Sequence, residues 1–208
     1  MSLRFDIHLH TSRYSGDSKI DPFKLVEKAA DRGLHGVVIT EHHHAWSRDE
    51  LDELLAAADV PGFVLLAGFE YTSSHGDVLI YGLNQEQCEA FVPRKMAPDE
   101  AIALAHKWDA VCVAAHPTRD GLGYDDRIID LPLAAMEVQS CNLNINEQRL
   151  GIKLASQFGL PRVASSDAHL MEDVGKYWTE FSVPVQTMDD FKNALKSGSF
   201  GINASSTT

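Results

Sequence analysis

The sequence predicts an α/β protein whose strands close into a β/α barrel. Two observations carry this reading. Short apolar runs alternate with amphipathic helical patterns along most of the chain, which implies a mostly parallel sheet. Five of those runs also end in residues that ligate metals. His8 and His10 follow Phe5-Asp6-Ile7, and His42 follows Val37-Val38-Ile39. Glu70 closes residues 63–69, His116 closes residues 111–115, and Asp167 and His169 follow residues 162–165. Side chains at strand C-termini line the mouth of such a barrel, where a polynuclear metal site is assembled.

Strands are expected at residues 4–9, 36–40, 63–69, 78–81, 110–115, 135–139, 162–165, 178–183 and 200–203. Runs this short and apolar suit strands buried on both faces. Asp21-Pro22 opens the first helix as N-cap and N1, and Gly33 ends it. Its apolar face is Phe23, Val26, Ala29 and Ala30. Ser47 or Arg48 begins a second helix that runs to Ala58, with Leu51, Leu54, Leu55 and Ala58 inward. Pro98-Asp99-Glu100 opens a third, reaching the neighbourhood of Trp108. Residues 144–158 form a fourth, with Ile145, Leu150, Leu154 and Phe158 available to the core. Thr187 caps the last helix, whose first turn carries Asp189 and Asp190 where the helix dipole favours them. No repeat, low-complexity stretch or linker interrupts the pattern. The 208 residues therefore read as a single domain, residues 1–208, with 204–208 a frayed tail.

Composition narrows the function. Apolar content of 44% and charged content of 23% are those of a soluble globular chain. The apolar runs are strand-sized, so no membrane span is expected, and no basic segment leading into a long apolar run suggests a signal peptide. Thirty acidic against 18 basic residues give a net charge of −12. That disfavours a broad grip on nucleic acid or anionic membrane and leaves room for a nucleotide or short oligonucleotide. Bound divalent cations would still make a locally cationic pocket. Cys88, Cys112 and Cys141 are odd in number and widely spaced. Cys112 reads as a small core residue, no disulfide framework is expected, and a cytoplasmic location fits.

Alternate residues of a strand share a face, so His8 and His10 can bind one ion, as can Asp167 and His169. Carboxylates favour hard cations and imidazoles suit zinc, manganese and iron, so the mixture points to divalent transition metals. Glu70 has two oxygens with which to bridge two ions. After that glutamate, His75 and Asp77 both stand near the start of the next apolar run. His75 is the softer donor, and Asp77 is nearer the strand.

The motifs resemble those of the PHP family, the polymerase and histidinol phosphatase superfamily. The segment from Asp6 to Ser18, with His8-Leu9-His10, resembles its first motif. Thr40-Glu41-His42 is similar to its second, with Glu41 where Asp is usual. Gly68-Phe69-Glu70 resembles the segment of the bridging glutamate, Ala115-His116-Pro117 the third motif, and Asp167-Ala168-His169 the fourth. They occur in family order across residues 6–169. The resemblance implies a distorted (β/α)7 TIM-like barrel with two or three divalent metals, manganese, zinc or iron. Carried onto this chain, one ion falls to His8, His10, Glu70 and Asp167. A second falls to Glu70, His116 and either His75 or Asp77, with His75 preferred. A third falls to Asp17, His42 and His169. Asp17 belongs to a Ser15-Gly16-Asp17 order that varies the family's usual Ser-Asp-Gly.

The implied activity is metal-dependent phosphoester hydrolysis of a small phosphorylated metabolite or nucleotide. An activated water would attack phosphorus in line, with Glu70, Asp167 and His169 as the catalytic groups. Arg119, three residues after His116, is the expected phosphate contact, with Arg13 a second. The alternative for Arg119 is an ion pair with Asp120, Asp125 or Asp126. Residues 121–126 read as a mobile loop on the mouth side that could cover substrate. Rival functions are an amidohydrolase-like attack on a non-phosphate bond and a non-catalytic metal-binding PHP domain.

Overall fold

The computed structural model describes residues 2–92, 94–124, 128 and 130–202. Nine strands occur among them: β1 (Leu3–Asp6), β2 (Gly36–Ile39), β3 (Val64–Thr72), β4 (Asp77–Tyr81), β5 (Val111–Ala115), β6 (Ala135–Gln139), β7 (Arg162–Ala164), β8 (Thr179–Phe181) and β9 (Phe200–Ile202). Six α-helices accompany them: α1 (Pro22–Asp31), α2 (Arg48–Ala58), α3 (Gln85–Glu89), α4 (Pro98–His106), α5 (Ile145–Phe158) and α6 (Met188–Ser197). Each expected strand and helix has its counterpart, and the five-residue α3 is additional. The expected tail at 204–208, and Asp125 and Asp126 of the expected loop, lie outside the described residues.

The strands form one sheet in the order β7-β6-β5-β4-β3-β2-β1-β8-β9. β1, β2 and β3 are mutually parallel, as are β5, β6 and β7. β4 runs against both its neighbours, because the turn from β3 is too short for a parallel crossover. β8 also runs against β1. The sheet curls until its ends approach. Beyond β1 the backbone continues as a rail between two neighbours. Thr40 N–H donates to Leu9 O at 2.9 Å on one side, and Asp167 N–H donates to His8 O at 2.8 Å on the other. Leu9 and Ala168 bridge in parallel there. The result is a nearly closed, barrel-like α/β sheet.

Strand alternation divides the apolar side chains between two faces. Phe5, Val38, Leu66, Leu79, Tyr81, Val113 and Ala135 pack together inside the sheet. The residues between them point outward. Val37, Ile39 and Leu65 meet Leu25 and Val26 of α1 and Leu51 and Leu54 of α2. Ile80, Cys112 and Met136 meet Ala101 and Ile102 of α4 and Ala155 of α5. Gly68 is required by this packing: a Cβ there would stand 2.8 Å from the Tyr81 ring and 2.9 Å from Thr40 Cγ2.

Two helices sit rotated from the expected setting. α1 buries Leu25, Val26 and Ala29 and leaves Phe23 42% exposed. α5 buries Gln148, Gly151 and Ala155 and leaves Ile145 and Leu150 nearly half exposed. In α5 the small Gly151 and Ala155 bring the helix close to β6, so the bulkier residues are turned aside.

Candidate metal centre

The strand ends bring their polar residues to one mouth. His8 and His10, two apart on the rail after β1, both point inward, and their Nε2 atoms are 3.2 Å apart. Glu70, near the end of β3, is 1% exposed and stands among four imidazoles. Its Oε1 lies 3.4 Å from His8 Nε2 and 3.2 Å from His116 Nε2. Its Oε2 lies 3.2 Å from His10 Nε2 and 3.0 Å from His42 Nδ1. Asp167 Oδ1 lies 3.3 Å from His8 Nε2 and 3.5 Å from His10 Nε2. Asp17 joins from the first loop, its Oδ2 3.3 Å from the Nε2 of both His42 and His169.

His75 is not among these donors. It is exposed in the turn after β3 and bonds Ser74 Oγ at 2.7 Å. Asp77 occupies that corner instead, with Oδ2 3.8 Å from His116 Nε2. The reversed direction of β4 explains this. Its first residue lies at the same mouth as the last residues of β3 and β5, opposite Thr72 and Ala115. His75 lies beyond the sheet, before Gly76, whose φ of +85° and contact with the Tyr124 ring suit glycine. Arg13 is also elsewhere. Its guanidinium pairs with Glu50 at 3.3 Å and lies over the Tyr14 and Trp46 rings. Arg119 does reach the mouth, 3.8 Å from Asp167 Oδ2.

Several buried groups that sequence reasoning passed over hold the donors in place. Glu137 of β6 is fully buried and faces the barrel interior. Its Oε1 accepts from His8 Nδ1 at 3.0 Å and from Ser165 Oγ, and its Oε2 accepts from the His116 backbone N–H at 2.7 Å. With its proton on Nδ1, His8 presents the Nε2 lone pair to the cluster. Glu41 anchors the other side. It accepts from Thr11 N–H, Thr11 Oγ1, Ser15 Oγ and Trp46 Nε1. Ser15 Oγ in turn contacts His10 Nδ1 at 3.3 Å and accepts from His42 N–H at 3.2 Å. Asn142 donates to Asp167 Oδ2 at 2.8 Å. A lone glutamate within an apolar strand, as at Glu137, was the available signal.

Two of the strand-end residues are held in left-handed backbone, His116 at φ +27° and Asp167 at φ +50°. Such a conformation costs a β-carbon residue on the order of 1–3 kcal/mol and persists where the surroundings over-determine it. Here the Glu137 carboxylate and the His8 carbonyl accept the two N–H groups.

The electrostatics favour anionic carboxylates. Burial works to raise the pKa of Glu70, yet His8, His10, His116 and His42 hold it well below the ordinary value. Burial likewise opposes the ionisation of Asp167, which His8 and His10 reverse. Asp77 is different: burial and the charge of Glu70 push it up to about 6.

The donor set fits divalent cations. Among the described residues, four triads of donor atoms lie within 4.8 Å of one another: His8, His10 and Glu70; His8, His116 and Asp167; Glu70, Asp77 and His116; and His10, His42 and His169. Glu70 Oε2 is buried and accepts no well-aligned hydrogen bond, although His10 Nε2 and His42 Nδ1 stand 3.2 and 3.0 Å away. A cation satisfies such an oxygen and the lone pairs of facing imidazoles together. The cavity above the cluster holds about 420 Å³, and Arg119, Leu122, Asn142, Leu170 and Asp173 complete its walls.

Comparison with known proteins agrees with this geometry. Residues 6–137 match the family described as PHP domain, and residues 146–200 match one described as PHP-associated. The chain belongs to the PHP family. No curated protein matches the sequence. Among solved structures, an inferred metal-dependent phosphoesterase from Bifidobacterium adolescentis is similar at TM-score 0.67 and 19% identity, over 96% of this chain and 97% of that one. An amidohydrolase from Chromobacterium violaceum with bound sulfate has TM-score 0.63 and 17% identity, over 92% and 96%. The lesion-specific endonuclease EndoQ of Pyrococcus furiosus has TM-score 0.64 and 17% identity, over 97% of this chain and 58% of that one. At these identities the likeness is one of fold.

Proposed function

We propose that this protein is a metal-dependent phosphoesterase acting on a small phosphorylated metabolite or nucleotide. The observation that carries the proposal is Glu70, a buried carboxylate within 3.4 Å of ring nitrogens of His8, His10, His42 and His116. Such a carboxylate can be shared between cations. His8, His10 and Asp167 would complete one position, His116 and Asp77 a second, and Asp17, His42 and His169 a third. When bound, divalent cations lower the pKa of water and neutralise the charge that develops on phosphoryl oxygens.

The chain's own residues supply the rest. Glu137 and Ser15 fix the outward nitrogens of His8 and His10, so neither ring can turn away. Arg119 is one-third exposed at the mouth and offers a planar guanidinium to a phosphoryl group. Asn142 holds Asp167 so that its Oδ1 faces the histidines. His169, a quarter exposed beside Asp17, is oriented by the bond between its Nδ1 and the Asp167 carbonyl at 3.1 Å, which leaves Nε2 facing the cluster.

Support for a phosphate bond over an amide or lactone rests on Arg119 at the mouth. No helix among the described residues is long and apolar enough to cross a membrane. Cys88, Cys112 and Cys141 are all free thiols, which favours a reducing compartment such as the cytoplasm. The test is a panel of phosphomonoesters, nucleotides, short oligonucleotides, amides and lactones, assayed with manganese, zinc or iron. Phosphate release, with KM for the best phosphoester raised in Arg119→Ala, is the expected result. Turnover of amides or lactones alone would replace the phosphoesterase reading.

A further inference from the structure

The donors do not surround the centre evenly. At one corner, His10, His42 and His169 bring three imidazoles together, with Asp17 Oδ2 3.3 Å from His42 and His169, Glu70 Oε2 3.2 Å from His10 and 3.0 Å from His42, and Asp167 Oδ1 3.5 Å from His10 and 3.8 Å from His169. At another, Glu70, Asp77 and His116 bring two carboxylates and one imidazole together. Asp77 is fixed there by its strand. It pairs with Thr72 on one side and Ala115 on the other, it is 7% exposed, and Tyr124 Oη donates to its backbone carbonyl at 2.6 Å.

We propose that the Glu70–Asp77–His116 corner is tuned to a harder divalent cation, manganese or magnesium, than the His10–His42–His169 corner, and that Asp77 sets the difference. Carboxylate oxygens suit magnesium and manganese, whereas imidazole nitrogens suit zinc and iron. Zinc outcompetes manganese at almost any site of this kind, so the claim concerns the ratio of the two affinities. That ratio is smaller where a single imidazole stands with two carboxylates than where three imidazoles meet. The centre would then hold unlike ions when both are supplied. The inference rests on reading the cluster as a metal centre, and it is independent of which bond is hydrolysed.

The experiment starts from metal-stripped protein loaded with manganese and titrated with buffered free zinc, with bound manganese followed by electron paramagnetic resonance. Displacement in two phases is expected, the later one needing about tenfold or more free zinc. Asp77→His should draw the later phase toward the earlier. Asp77→Asn, of the same shape but neutral, should lose the retained manganese. A single phase in the parent protein, two unchanged phases in both variants, or no binding of either ion would overturn the proposal. Phosphate release is scored separately on the same samples. Two phases without hydrolysis uphold this inference against the phosphoesterase reading, and hydrolysis with a single phase does the reverse.

Discussion

Two positions in one turn separate a residue inside the cluster from one outside it. His75 and Asp77 looked interchangeable in the sequence because the direction of the strand after them was not legible there. Once β4 reverses, Asp77 falls at the mouth and His75 falls in the turn. Asp77→Ala is therefore expected to lower bound manganese per chain, and His75→Ala to leave it unchanged, as measured by elemental analysis after gel filtration. Equal loss in both would contradict the placement. The residues of the family motifs were legible, and His8, His10, Asp17, His42, Glu70, His116, Asp167 and His169 do converge. Sequence ranked Arg13 below Arg119 but could not take it away from the mouth, because its pairing with Glu50 and two aromatic rings is tertiary. Glu137 stood out as a lone glutamate in an apolar strand, but its partners, His8 and the His116 N–H, are tertiary and were not legible. Glu137→Ala would leave His8 Nδ1 and the His116 N–H buried without partners, at about 1–3 kcal/mol each. It should weaken metal binding about 10–100-fold. Chemical denaturation and calorimetric metal titration check both effects.

At the scale of the element, the caps were readable and the rotations were not. Ser47 and Glu50 form a capping box at the start of α2, Asn144 and Glu147 at α5, and Thr187 and Asp190 at α6. These are local bonds, so local sequence specifies them. The rotation of α1 and α5 depends on which side chains let the helix approach the sheet, which a helical period alone leaves open. Glu50 ties a cap to the first loop, since Tyr14 Oη and Arg13 also bind it. Partial burial would raise its pKa, but Tyr14, the Ser47 N–H and hydroxyl, and Arg13 lower it to about 2 from 4.5. The folded value lies below the unfolded one, so this stabilisation is complete above pH 4.5 and is lost as pH falls toward 2. Glu50→Gln should cost about 1 kcal/mol near neutrality. The gap between parent and variant should close across that acidic window in urea titrations. A gap that widened as pH fell would contradict the assignment.

Over the whole molecule, the strand pattern specified the class of fold because buried strands and amphipathic helices differ in period. It could not show where the sheet reverses or how β8 and β9 extend beyond β1, since pairing partners lie far apart in sequence. The centre itself joins residues from the rail after β1 to the segment after β7, so cations binding there should stabilise the entire barrel. At a free metal concentration of about 100 times Kd, binding to the folded state adds roughly 2.7 kcal/mol per site. Chelation should then lower Tm by several degrees, on the order of 2–4 °C per kcal/mol for a chain of this size. The most direct test of the central claim is phosphate release by the metal-stripped protein before and after reloading with manganese, zinc or iron, beside a His8→Ala, His10→Ala variant. The account predicts release that returns with metal in the parent protein and does not return in the variant. Release that persists without metal, or that survives loss of both histidines, would contradict it.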